Sequence, residues 1–294
     1  MTRCPPLPAL LALAAVLATA LGTATPAVAA AAAMEAASPA ARRYAACLAQ
    51  ARTDPAQAIA AASRWRDEGG GVAAKHCLAL ALLAQGQPKR AAAALEQAAQ
   101  DMEAGRGLPE GMARGAVTSA DLYGQAGNAA LLAGDGARAY ELLSRAVTQA
   151  EARPGLQGDL LIDRARAAAA MSDFAAATKD LDRAVGLLPG RPDAWLLRAT
   201  ARRKTGDLAG ARTDIDAAVQ LAPDEPLAYL ERATIAALGQ DMATARADWT
   251  RVIALAPDGP EAAIARENLV NAGPAEAAAP AGVSATPGAT PPQP

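Results

Sequence analysis

The sequence predicts an all-α fold assembled from repeated helix pairs, and three observations carry that prediction. Aromatic residues are only 3 % of the 294-residue chain, while the hydrophobic fraction is 52 %. Ala fills the gap at about 30 % of residues, far above ordinary usage. Strands need Val, Ile, Thr and aromatic side chains, which are scarce here; Ala, Leu, Arg, Glu and Gln are the strongest helix formers. Large and small residues also recur every 34 positions through the middle of the chain. Gly-Asp pairs and prolines punctuate that period where helices would start and stop.

The first segment, residues 1–29, reads as a secretion signal. Arg3 supplies the positive start, Leu7 to Leu21 form an apolar run, and Ala27-Val28-Ala29 is an A-x-A cleavage site. The run is shorter than the ~20 residues that a membrane span needs. Cys4 precedes it, so this is not an arrangement that lipidates a mature N-terminus. No membrane span is expected once the signal is removed. Ala/Arg-rich, Lys-poor usage suggests a GC-rich bacterial genome, so the expected destination is the periplasm. Residues 30–39 read as a linker.

Next come three degenerate units, at about 40–71, 72–105 and 120–157. The first has Tyr44, Leu48, Ile59 and Trp65 as apolar anchors around an Asp54-Pro55 turn; the second has Leu78, Leu82, Leu95 and Ala98 around Gly86. Gly105 to Gly111 reads as a loop, and 112–119 as an extension of the helix that follows. The third unit places Tyr123, Gly127, Ala139, Leu143 and Ala146 around Gly134-Asp135, with four residues inserted near Glu151–Pro154.

Three regular units follow, at 158–191, 192–225 and 226–259. Pro189, Pro223 and Pro257 fall in register, as do the small columns Ala165/Ala199/Ala233 and Ala177/Ala211/Ala245. Leu161/Trp195/Tyr229 and Leu181/Ile215/Trp249 are bulky columns, and Leu187/Leu221/Leu255 is a third. Gly206-Asp207 and Gly239-Gln240-Asp241 supply turns, with Gly ending one helix and Asp capping the next. Each helix, about 14 residues long, is too short to be stable alone, so neighbouring units must stack. Residues 260–272 read as a polar capping helix. Residues 273–294, rich in Ala, Pro and Gly, cannot bury enough surface to offset ordering and are expected to be disordered.

The period and the pattern of large, small, Ala, large and Pro positions resemble the tetratricopeptide repeat (TPR) family. The resemblance covers about 40–271 and is strongest over the last three units. It implies a right-handed α-solenoid of about six helix-turn-helix units with a C-terminal capping helix. It also implies a concave groove, lined by first helices, that takes peptides or extended segments. Motif positions place His76, Asn128, Ile162, Arg166, Leu196, Thr200, Arg203, Leu230 and Thr234 on that side. The Lys and Asn pair with which some members clamp a C-terminal carboxylate is missing, so an acidic C-terminal peptide is not supported.

Arg164/Arg198/Arg232 and Asp180/Asp214/Asp248 also recur, each Asp 16 residues after its Arg. One reading is a charged ladder for a ligand. The favoured reading is a bidentate Arg–carboxylate pair that locks the two helices of each unit. Cys47 and Cys77 fall on neighbouring first helices of such a stack. They read as a disulfide or, alternatively, as two buried thiols.

Catalytic chemistry is not indicated. His76 is the only histidine, which excludes multi-His zinc sites. Its neighbour Cys77 would point about 100° away on a helix, which is no nucleophile pair. Nucleotide-binding glycine motifs are missing, Gly69-Gly70-Gly71 reads as an inter-unit loop, and Asp224-Glu225 sits in a turn. A net charge of −2 argues against nucleic acid. No enzyme, metal or cofactor is expected. The expected function is a periplasmic scaffold binding a protein or peptide partner in its groove. The alternative is a structural or self-associating subunit of an envelope complex.

Overall fold

A computed structural model describes residues 38–106 and 117–273. The predicted signal, the 107–116 stretch and most of the predicted tail lie outside the described residues. Thirteen helices and no strand are seen among those described: α1 Pro39–Thr53, α2 Pro55–Asp67, α3 Gly71–Ala84, α4 Pro88–Glu103, α5 Ser119–Leu132, α6 Gly136–Gln149, α7 Pro154–Ala170, α8 Phe174–Leu187, α9 Pro192–Lys204, α10 Leu208–Leu221, α11 Pro226–Leu238, α12 Met242–Leu255 and α13 Pro260–Asn271.

Each helix packs on the next, and first helices also meet first helices: α1 on α3, α5 on α7, then α7, α9, α11 and α13 in series. This is an α-solenoid of six helix pairs closed by a single helix. None of the described helices is long and apolar enough to cross a membrane.

Local chemistry sets the helix ends. Asp54, Asp135, Asp173, Asp207 and Asp241 cap the second helices, each carboxylate accepting from a backbone N–H three residues on. Proline stands at the first position of α1, α2, α4, α7, α9, α11 and α13, where its missing N–H leaves nothing unpaired. In five of the six units the intra-unit turn has one residue with positive φ. Gly86, Gly134 and Gly206 take it in three units, but Ser172 (φ 62°) and Gln240 (φ 64°) take it in two others. Gly239, expected to end its helix in that conformation, has φ −82°.

Two boundaries differ from expectation. Thr118 and Asp121 form a reciprocal capping box, so α5 starts at Ser119 and no helix extends back across Val117 and Thr118. The insertion near Pro154 adds a turn to α7, which begins at Pro154 and buries Gln157.

The small columns make the pairs possible. Ala165, Ala199, Ala233, Ala177, Ala211 and Ala245 are all at most 2 % exposed. Gly127 holds the same column in the third unit; a Cβ there would stand 2.5 Å from Leu143 Cγ. Leu181, Ile215 and Trp249 fill the space between helices. One apolar core runs from Tyr44 to Ala201, and two clusters continue it to Ala265.

Candidate interaction face

The repeated Arg and Asp columns meet inside each regular unit. Arg164 Nε and Nη2 lie 2.7 and 2.5 Å from the two Asp180 oxygens. Arg198 lies 2.8 and 2.6 Å from Asp214, and Arg232 2.8 Å twice from Asp248. All three carboxylates are buried. Asp180 and Asp248 push the Arg164 and Arg232 guanidinium groups above their ordinary range. Burial works against the charge of Arg198, but Asp214 and Asp182 outweigh it and raise that group too. The columns are therefore occupied with one another and are not presented to a ligand.

Each pair also has neighbours that the columns alone did not announce. Arg198 Nη1 reaches back 2.9 Å to Asp182, and Arg232 Nη1 3.3 Å to Asp216, so the guanidinium links its unit to the preceding one. Asp182 and Asp216 are themselves one period apart, a signal the sequence carried. Trp195 and Tyr229 stack on Arg198 and Arg232 at 4.9 and 5.2 Å from the ring centroids. Their polar tips donate to Pro189 O and Pro223 O, the carbonyls of the proline column.

On the first-helix face, polar side chains join one helix to the next. Tyr44 on α1 bonds His76 Nδ1 on α3, and His76 Nε2 lies 2.9 Å from Gln125 Oε1 on α5. Asn128 on α5 donates to Asp163 on α7 (2.7 Å). Arg166 bridges Asp163 (2.6 Å) and Asp193 on α9 (3.0 Å). Arg203 on α9 grips Glu231 on α11 at 2.7 and 3.1 Å. Burial alone would raise Asp193, but Arg191 and Arg166 outweigh it and hold its carboxyl below the usual range.

The residues expected on this face therefore divide. Ile162 (1 % exposed) and Leu230 (8 %) are in the core and unavailable to a partner. First helices pack closely along this face, as where a Cβ at Gly124 on α5 would meet Leu160 Cδ2 on α7 at 2.6 Å. His76 is also buried, spanning Tyr44 and Gln125. Thr200 and Thr234 donate to the carbonyls of Leu196 and Leu230 on their own helices. Arg166 and Arg203 are ion-paired. Asp163 and Glu231 were missed, although each stands one residue beyond a column read as apolar.

Leu196 remains. It lines a cleft of about 230 Å³ between α9, α10 and α11, with Pro192, Ala222 and Leu227 on its walls and Asp193 and Glu225 on its rim. Leu227 is 46 % exposed. The mouth is apolar and the acids beside it are engaged, Asp193 by arginines and Glu225 by the backbone N–H of Leu227.

Cys47 on α1 is bonded to Cys77 on α3, with Cα atoms 6.1 Å apart. That bond leaves no thiol beside His76. Burial lowers the His76 pKa, partly opposed by Gln125, and pushes the Tyr44 hydroxyl up to about 12.

The helix-pair stack and its 34-residue columns have a sequence counterpart. A family model described as "Tetratricopeptide repeat" matches residues 162–226 and 199–260. Over residues 162–260 the chain is similar to the tetratricopeptide repeat family. Its fold is similar to that of pilF from Pseudomonas aeruginosa at 17 % identity, with 80 % of this chain and 100 % of that one covered and a TM-score of 0.58. It is also similar to MamA from Desulfovibrio magneticus RS-1 at 18 % identity, over 64 % and 97 % of the chains, with a TM-score of 0.52. A third similar structure is YrrB, described as a TPR protein with an unusual peptide-binding site. It is 18 % identical over 70 % and 96 % of the chains, with a TM-score of 0.51. No curated protein gives a significant match.

Proposed function

We propose that this protein is a non-enzymatic scaffold that binds an extended protein or peptide segment across its first-helix face, in the bacterial periplasm. The observation that carries the reading is the Leu196 cleft. It offers apolar walls on a face whose charged side chains are already paired, so apolar side chains of a partner gain burial there without stranding a charge. A helix-pair solenoid supplies such a face by construction, since each repeat adds one more first helix to it. YrrB, of similar fold, is described as having a peptide-binding site. Two features support the compartment: the signal-like pattern of residues 1–29, and a Cys47–Cys77 bond of the kind that persists in oxidising surroundings.

Crosslinking in intact periplasm followed by mass spectrometry tests the reading. Leu196→Glu and Leu227→Glu place charge in the cleft and should abolish partner crosslinks while the helical spectrum is kept. Arg166→Glu and Arg203→Glu are poorer probes, because they break the pairs with Asp163, Asp193 and Glu231. If both leucine variants keep every crosslink, the cleft is not the site. A mature chain that retains residues 1–29 in the cytoplasm would refute the compartment separately.

A further inference from the structure

The Leu196 cleft has counterparts one period to either side, and their walls differ at two places. In the unit before, Leu188 stands where Ala222 stands here; in the unit after, Val252 stands where Ala218 stands. Of the three regular units, the one that holds the cleft is alone in having alanine at both.

The Leu188 side chain shows what the larger residue does. It lies over Gly158, the counterpart of Pro192 on the cleft wall: a Cβ at Gly158 would stand 2.6 Å from Leu188 Cδ1. The same leucine packs on the core that holds Ile162, the counterpart of Leu196. Ile162 is buried, whereas Leu196 is half-buried. The backbone is nearly the same in both units, with φ −131° and ψ 62° at Leu188 and φ −136° and ψ 77° at Ala222. The chain thus fills this space with its own aliphatic side chain in one unit and leaves it open in the next.

Charge at the mouth changes too. Arg191 holds the place in the preceding unit that Glu225 holds here, and it pairs with Asp159 and Asp193. Glu225 is exposed and, among the described residues, in no ion pair; it accepts only from the Leu227 N–H, at 3.2 Å. Leu221 and Leu227 are exposed nearby, and clustered apolar exposure marks an interaction surface.

Granted that the cleft binds a partner, as proposed above, we infer that it takes a leucine-type aliphatic side chain from an extended segment of another protein, with a lysine or arginine of that segment against Glu225. The Leu188 side chain, missing here, sets the kind of anchor. A cleft of about 230 Å³ exceeds the ~150 Å³ in which a protein core holds benzene, so it has room for one. Burial of the anchor supplies most of the affinity. The exposed charge pair adds little strength and fixes the register of the segment.

The test uses the full chain with isotope-labelled leucine methyl groups and a peptide Ala-Lys-Leu-Lys-Ala blocked at both ends, followed by NMR. The Leu196 and Leu227 methyl signals should shift. Asn in place of the peptide leucine should weaken binding about 10-fold or more, and Glu in place of both lysines only a few-fold. Pro192→Gly with Ala222→Leu copies Gly158 and Leu188 into this unit; that chain should keep its helical spectrum and lose the peptide, while Pro192→Gly alone keeps it. No shift at millimolar peptide, or equal binding of the Leu and Asn peptides, overturns the proposal on the unaltered protein. So does a folded double variant that still binds. So does a mass that rises with concentration and falls in the double variant, which would assign the cleft to a second copy. In intact periplasm, partner crosslinks lost in Leu196→Glu but kept in the double variant would sink the leucine anchor and leave the binding face standing. Crosslinks kept in both would sink the binding face itself.

Discussion

The two ends of this solenoid are held by different chemistry. In the last three pairs every unit has a buried Arg–Asp clasp, and Arg198 and Arg232 add a carboxylate from the preceding unit. In the first two pairs the clasp is missing, and α1 is fastened to α3 by the Cys47–Cys77 bond and the Tyr44–His76–Gln125 chain. A short Ala-rich helix pair buries little area per residue, so packing alone leaves each unit marginal. Each end therefore needs a staple, electrostatic where the repeat is regular and covalent where it has decayed.

The largest expected effect comes from breaking the clasp on one side only. Asp214 accepts from Arg198 twice and from Arg202 at 2.9 Å, so Asp214→Ala removes the buried partner of two guanidinium groups and leaves them only the half-exposed carboxylates of Asp182 and Asp207. Denaturant unfolding should show a loss of about 3–5 kcal/mol, with hydrogen exchange rising across α9–α11. Asp182→Ala, whose carboxylate is half exposed, should cost no more than about 1 kcal/mol. Equal losses in the two variants would show that the buried pair is not the staple. Replacing both cysteines by serine should cost about 3.5 kcal/mol, the chain entropy of opening a loop of 30 residues. Hydrogen exchange should place that loss in α1–α3; a loss spread evenly to α12 would contradict separate staples.

How much of this was readable follows the same divide. Where the repeat is regular, position reports environment, and the Arg–Asp pairs, the Ala columns and the Asp caps of α10 and α12 could be located from spacing. The groove residues were harder, because a motif position gives the direction of a side chain on its helix but not the approach of the next helix. That is why Ile162 and Leu230, given to the groove, sit in the core. Asp163 and Glu231 went unseen because their role depends on partners one helix away, and those pairings do not repeat. The Tyr44–His76–Gln125 chain crosses three degenerate units and left no periodic trace.

The pH dependence sharpens the contrast. The unfolded His76 titrates near its ordinary value of 6.5, while burial lowers the folded value. Between the two the unfolded chain binds the extra proton, so stability is complete above pH 6.5 and falls as pH drops through that window. Protonation would also place a proton on the ring nitrogen that Tyr44 needs as its acceptor. Exchange in α1–α5 should therefore quicken on mild acidification while α9–α12 holds, and His76→Gln should abolish the difference. At the junction between the two regions, Gly127→Ala would press a methyl into Leu143 and should cost about 1–3 kcal/mol.

The smallest effect probes the turns. Ser172 and Gln240 hold left-handed backbone that glycine holds in three other units, and an L-residue there bears about 1–2 kcal/mol of strain. Glycine relieves it but adds about 0.5–1 kcal/mol of unfolded-chain entropy. Gln240→Gly should therefore stabilise by about 0–1.5 kcal/mol, as should Ser172→Gly. Both turns lie between clasped helices, so the gain should appear as slower exchange in α7–α8 and α11–α12 alone. A destabilised Gln240→Gly chain would mean that the glutamine side chain, rather than its backbone, earned the place.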